Sequence, residues 1–234
     1  KYKKEEVFSL LKRTTTPTTI YKKQKLDKDD VNDITDFDVV TWIKAEMRLM
    51  LDEEIARACL VGDGRLASSD DKINETNIRP IWTDEDLFTI KALVSVKSTD
   101  TDDVKAKNFI KTAIKARKNY KGSGNPILLT TEDVLTDLLL IEDTNGRNIY
   151  ESVDKLATAL RVSKIVTSPV LENQTRAGVE LVDGDTKTRT LMGIIVNLAD
   201  YTVGADKGGA VNLFEDFDID FNQEKYLIET RCSG

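Results

Sequence analysis

Residues 36–65 constrain this chain most, because a long helical pattern there stops abruptly at Gly62-Asp63-Gly64-Arg65. Apolar side chains at Val40, Ile43, Met47, Leu51, Ile55 and Ala58 keep the three/four spacing of one helix face. A second stripe runs through Trp42, Ala45, Leu49, Ala56 and Leu60. Arg48 with Asp52 and Glu53 with Arg57 occupy the remaining arc at i,i+4 spacing. Asp36 suits the N-cap and Gly62 the stop. Such a helix spans roughly 35 Å. Two apolar stripes predict a beam packed on more than one side.

The rest of the chain reads as mixed α+β. Thr14 to Tyr21 is β-prone, with Pro17 suited to an edge strand. Leu66 to Arg79 is polar and loop-like. Thr83-Asp84-Glu85-Asp86 predicts a cap before a short helix through Leu87, Ile90 and Leu93. A further helix is expected over Val104 to Tyr120, its core side built from Phe109, Ile110, Ala113 and Ile114. Lys121 to Pro126 breaks it. Ile127 to Thr130 reads as a buried strand, Thr131 to Leu140 as a capped helix, and Asn145-Gly146 as a turn. Val153 to Leu160 reads as helix, while Lys164 to Val170, Leu191 to Val196 and the pair within Val211 to Arg231 read as strands.

Composition narrows function. With 234 residues, 40% of them hydrophobic and 32% charged, the chain can bury a core as one domain or two joined ones. No apolar run is long enough for a bilayer helix. There is no histidine, which removes the commonest general base, the histidine-dependent nucleophile systems and the commonest metal ligand. Cys59 and Cys232 make a poor zinc set and are read as reduced thiols, a disulfide between them being the weaker alternative. The composition points to structure and away from catalysis, with no cofactor and no metal expected.

Glycine-rich turns and acidic clusters have plain explanations. Phosphate loops precede helices, so that amide N–H groups and the positive helix end face the anion. Gly62-Asp63-Gly64 follows a helix, and Lys121-Gly122-Ser123-Gly124 lacks the Gly-Lys-Ser/Thr ending, so both read as stops and turns. Asp100 to Asp103 and Asp183-Gly184-Asp185 lack the alternating twelve-residue calcium loop and suit caps and turns.

Charge is placed unevenly. The chain carries a net −7, yet residues 1–28 hold nine Lys/Arg against three Asp/Glu, and residues 200–234 hold three against eight. Such ends can register subunits head to tail, or simply keep each region soluble. Lys107, Lys111, Lys115 and Lys118 form a basic stripe on the 104–120 helix that suits either a solvated face or nucleic-acid phosphates. No aromatic interleaving accompanies it.

The segment Phe37 to Arg65, running into Leu60-Val61-Gly62-Asp63-Gly64-Arg65, resembles the spine helix of tailed-bacteriophage major capsid proteins of the Hong Kong ninety-seven type. The segments around Pro126 to Leu129, Lys164 to Val170, Leu191 to Val196 and Val211 to Arg231 are similar to that family's later elements, in its order. The resemblance implies an α+β capsid fold, with residues 1–26 a remnant of the E-loop and N-terminal arm. Residues 27–85 with 210–234 would be a peripheral domain, and 86–209 an inserted axial domain. Most of the E-loop and arm would lie outside this stretch, as in a piece of a longer chain that stays monomeric or forms small oligomers.

Function would then be mechanical, as a virion component made in the bacterial cytoplasm. Copies of the chain would be its main partner, forming pentamers and hexamers around packaged double-stranded DNA, with a scaffold or head-maturation protease as further partners. Glu215, Asp216, Asp218 and Asp220 are expected to meet Lys22, Lys23 and Lys25 of a neighbour; this pairing is read from charge, not from the family. The lysine–asparagine crosslink of some members matches no residue here. The alternatives are a DNA-associated protein using the lysine stripe, and a histidine-free enzyme with convergent carboxylates.

Overall fold

A computed structural model describes residues 12–33, 38–97, 99–182 and 185–234. In chain order these form β1 (Thr18–Asp27), α1 (Lys28–Asp33), α2 (Val39–Leu60), α3 (Asp102–Ala116), β2 (Ile127–Thr130), α4 (Glu132–Leu139) and α5 (Val153–Leu160). Then follow β3 (Ile165–Thr167), β4 (Thr175–Val182), β5 (Asp185–Thr190), β6 (Gly193–Val196), β7 (Gly204–Ala205), β8 (Asn212–Asp218) and β9 (Gln223–Ser233). The chain divides into two compact units. The first holds the described residues up to Ile55 with Arg65–Ile78 and Val203–Gly234; the second holds Ala56–Gly64 and Arg79–Thr202.

In the first unit, β9 is the central strand. β1 pairs antiparallel along its length, from Thr18 opposite Cys232 to Asp27 opposite Gln223. β8 and the short β7 pair antiparallel on its other side. Strand alternation puts Tyr226, Ile228, Thr230 and Cys232 of β9 on a buried face, together with Ile20 of β1. Both cysteines are free thiols.

The 22-residue α2 starts at Val39 with Asp38 just before it; Asp36, the expected cap, lies outside the described residues. The Asp38 carboxylate accepts from the Thr41 N–H at 3.0 Å and from its hydroxyl at 2.6 Å. These bonds satisfy a donor that a helix start leaves orphaned and hold the Asp38 carboxyl below its usual range. The first apolar stripe is the packed one: Met47, Leu51 and Ala58 are buried. Packing on more than one side is met only at the C-terminal end, where Leu60 packs against Val61, Leu129 and Leu171, while Trp42 and Leu49 of the second stripe stand more than half exposed. Periodicity defines a helix face; only another element covers it. At the C-terminal end, Gly62 N–H returns to the Arg57 carbonyl at 3.0 Å, and both Gly62 and Gly64 have positive φ.

The second unit has its own core. α3 contributes Ala106, Phe109, Ile110 and Ala113, while Ile114 turns outward in place of Ala106. α4 and α5 add Leu135, Leu138, Leu156 and Leu160, and β2 adds Leu128. β2 pairs parallel with β3 and antiparallel with β6. Thr131 caps α4 as its position predicts, and Ser152, not singled out in the sequence, caps α5 by accepting from the Lys155 N–H. Buried side chains of this size each contribute about 1.5–3 kcal/mol.

Two local expectations fail. Residues 84–97 form turns and extended backbone without a helix, and Leu87, Phe88, Ile90 and Leu93 are exposed. A single helical turn, from Thr89 N–H to the Glu85 carbonyl, is all that the Asp84-Glu85 cap starts. Too few apolar groups find a surface there to offset the cost of a helix nucleus. The strand expected over Lys164 to Val170 ends at Thr167, because Pro169 starts a 3-10 turn. The β4–β5 hairpin carried no clear period in the sequence; Asp183 and Gly184, read only as suiting a cap or turn, lie outside the described residues.

Candidate functional site

The first unit's sheet and helix organise its charges into two sets. On the α2 side, Lys22 of β1 reaches Glu54 of α2 at 2.9 Å. Arg65, just after the helix stop, sits 2.7 Å from the other Glu54 oxygen, an ion contact without an aligned hydrogen bond. Lys44 of α2 pairs with Glu215 of β8 at 2.6 Å and lies over the Tyr226 ring. Lys28 pairs with Glu224, which also accepts the Tyr226 hydroxyl.

These contacts move protons in a readable direction. The Lys28 ammonium and the Tyr226 hydroxyl hold the Glu224 carboxyl below its usual range. Burial, and the hydrogen bond to Glu224, push the Tyr226 phenol far above its usual value. A buried phenol beside a carboxylate keeps its proton, so Tyr226 is a fixed donor here.

On the opposite face the register aligns Lys25 with Lys225 of β9, and Lys225 with Asp216 of β8. Lys225 pairs with Asp218, whose carboxyl is lowered chiefly by that bond and further by Lys25. Of the seven residues expected to meet a neighbour, Lys22, Glu215 and Asp218 therefore have ion-pair partners inside the chain. Lys23, Lys25, Asp216 and Asp220 have no ion pair among the described residues.

β8 is also apolar and open. Leu213, Phe214 and Phe217 are exposed, and Ile219 and Phe221 follow in the turn to β9. Exposed apolar groups clustered on one edge are a mark of interaction surfaces.

Sequence reasoning missed Lys44, Glu54 and Arg65, although a signal was present. Lys44 and Glu54 fall at helical spacing with Met47 and Leu51, flanking the apolar stripe. A charge on a core-facing stripe needs a partner, because its desolvation is otherwise uncompensated.

In the second unit, the lysine stripe is not uniform. Lys107 binds Asp103 at 2.7 Å and the Glu142 carbonyl at 3.1 Å. Lys111, Lys115 and Lys118 are exposed, without ion pairs among the described residues. The Gly122-Ser123-Gly124 turn spends the Ser123 N–H and hydroxyl on Asp200. Asp102 and Asp103 pair with Lys105 and Lys107 at the start of α3. Among the described residues no group of three or more potential metal ligands gathers, and no helix is long and apolar enough to cross a membrane.

No protein-family model matches the chain, and no curated protein matches its sequence. Solved structures do. The capsid of Myoviridae phage XM1 aligns with a TM-score of 0.55 at 9% identity, over 94% of this chain and 69% of that one. The capsid of a native GTA particle gives 0.55 at 12% identity, over 92% and 67%. A chain from Mycobacterium phage Adephagia gives 0.52 at 9% identity, over 93% and 64%. The chain therefore spans just under two thirds of the mycobacteriophage chain it matches. At such identities the likeness is one of fold: this chain has the tailed-phage capsid fold, a mixture of helix and sheet.

Proposed function

We propose that the chain is the structural subunit of a phage or prophage head. The observation that carries this reading is the capsid-like fold over more than nine tenths of the chain. In this reading α2 is the spine helix, the first unit belongs to a peripheral domain and the second to an axial domain. Copies form pentamers and hexamers that tile an icosahedral shell around double-stranded DNA, and the virion is where the protein works. It is not an enzyme; the shell is held by association energy spread over large repeated interfaces. The exposed Trp42 and Leu49 and the open β8 edge are surfaces such interfaces would use.

Negative-stain electron microscopy with light scattering tests the reading, at low and high salt. Capsomer rings, shells or smaller oligomers of copies are expected. Monodisperse monomers at every concentration and salt would remove it.

Exposed Lys111, Lys115 and Lys118 support a second reading, a DNA-associated protein that holds phosphates through α3. It predicts duplex binding that falls steeply with salt and needs no oligomer. Binding unchanged by Lys111→Ala with Lys115→Ala would exclude it.

A further inference from the structure

The sheet of the first unit ends in two strands of opposite charge. β1 carries Lys22, Lys23 and Lys25 against Asp27, while β8 carries Glu215, Asp216 and Asp218 and no basic residue. Each uses one edge on β9. Among the described residues the other edge of each has no ladder partner. Unpaired ladder groups are a template for another strand. Both strands are antiparallel to β9 and hence parallel to each other.

The charges are divided by face. Those pointing toward α2, Lys22 and Glu215, are already matched by Glu54 and Lys44. On the opposite face Lys23, Lys25 and Asp216 have no ion pair among the described residues. Lys25 stands across from the like-charged Lys225, whose ammonium is taken by Asp218. Beside Asp216, Phe214 of β8 is 52% exposed on that same face.

We propose that β8 of one copy adds edge to edge to β1 of a second copy, in parallel alignment. Asp216 and Phe214 then lie beside the neighbour's Lys23 and Lys25, and the two edges exchange backbone hydrogen bonds. The contact is head to tail, so the first copy keeps its β1 edge and the second its β8 edge, and the association propagates. This deepens the reading of the chain as a self-assembling subunit and rests on it.

Sedimentation velocity on the 234-residue chain over a range of concentration and salt is the test, with Asp216→Lys, Lys23→Glu/Lys25→Glu, and an equimolar mixture of the two variants. The unaltered chain should associate with rising concentration, less so in salt. Each reversal should weaken association roughly tenfold or more, and the mixture should restore it. A variant whose circular dichroism shows loss of fold is replaced by Asp216→Asn or Lys25→Gln, for which a smaller weakening is expected. A strictly monomeric unaltered chain, reversals without effect, or a mixture that stays apart each overturns the proposal. Electron microscopy separates the two claims. Rings or shells indifferent to the reversals would leave the capsid reading and sink this contact; charge-sensitive chains of copies that never close would do the opposite.

Discussion

The Lys44 ammonium stands 5.5 Å from the centroid of the Tyr226 ring and 2.6 Å from a Glu215 oxygen, so one side chain of α2 ties together β9 and β8. The Glu215 side chain is half exposed, and such a pair by itself contributes little. The ring contact is better shielded, because Tyr226 is 1% exposed. Lys44→Met should therefore cost about 1 kcal/mol, and Glu215→Gln clearly less, in urea unfolding. Equal costs for the two would mean that the ring contact adds nothing.

Glu54 receives cations from two directions, Lys22 at 2.9 Å and Arg65 at 2.7 Å, with its side chain only 13% exposed. Glu54→Ala removes the ion-pair partner of Lys22 and one contact of Arg65, which keeps the Asp71 carbonyl at 2.9 Å, and should cost about 2 kcal/mol. A double-mutant cycle between Lys22 and Glu54 checks the mechanism. Additive single effects would show that packing, not charge, is what the substitution removes.

Gly64 follows the helix stop with φ +69°, and a Cβ there would sit 2.8 Å from a terminal nitrogen of Arg57. That side-chain end can move, so the backbone sets the cost. Gly64→Ala should lose about 1–2 kcal/mol in thermal or urea unfolding. A neutral result would show that the turn relaxes to negative φ.

Acid should weaken the sheet and the start of α2 together. The carboxyls of Asp38, Asp218 and Glu224 are all lowered, by Thr41, Lys225 and Lys28 respectively. A carboxyl lowered on folding stabilises the protein above its unfolded value, about 4, and that contribution disappears as pH falls through the folded value. Tm should hold on the neutral side of the carboxylate range and drop below it. Glu224→Gln should flatten the drop; an unchanged slope would remove Glu224 from the account.

Where a pattern is local, it was legible. The α5 boundaries, the Thr131 cap, the stop at Gly62 and the β8–β9 pair all follow from spacing, capping chemistry and glycine conformations that one short segment settles for itself. The resemblance of Phe37 to Arg65 and of the later segments led to the capsid fold because element order survives where identity has fallen to about a tenth. The failed helix near Leu87 and the exposed Trp42 stripe mark the limit of periodicity, which names a face without naming its cover.

By itself, then, the sequence determined the helices α2 to α5, the central strands, the sign of charge at each end and the absence of histidine chemistry. Tertiary structure alone decided which charges meet. Lys22 and Lys23 are neighbours in sequence, yet strand pleating sends one to Glu54 and leaves the other on the far face of the sheet. Lys44 and Glu54 are both helix charges, and only the position of the sheet beneath α2 makes them ion-pair centres. The reason is distance: the partners lie 32 and 171 residues apart in the chain, and no local rule reaches across such separations.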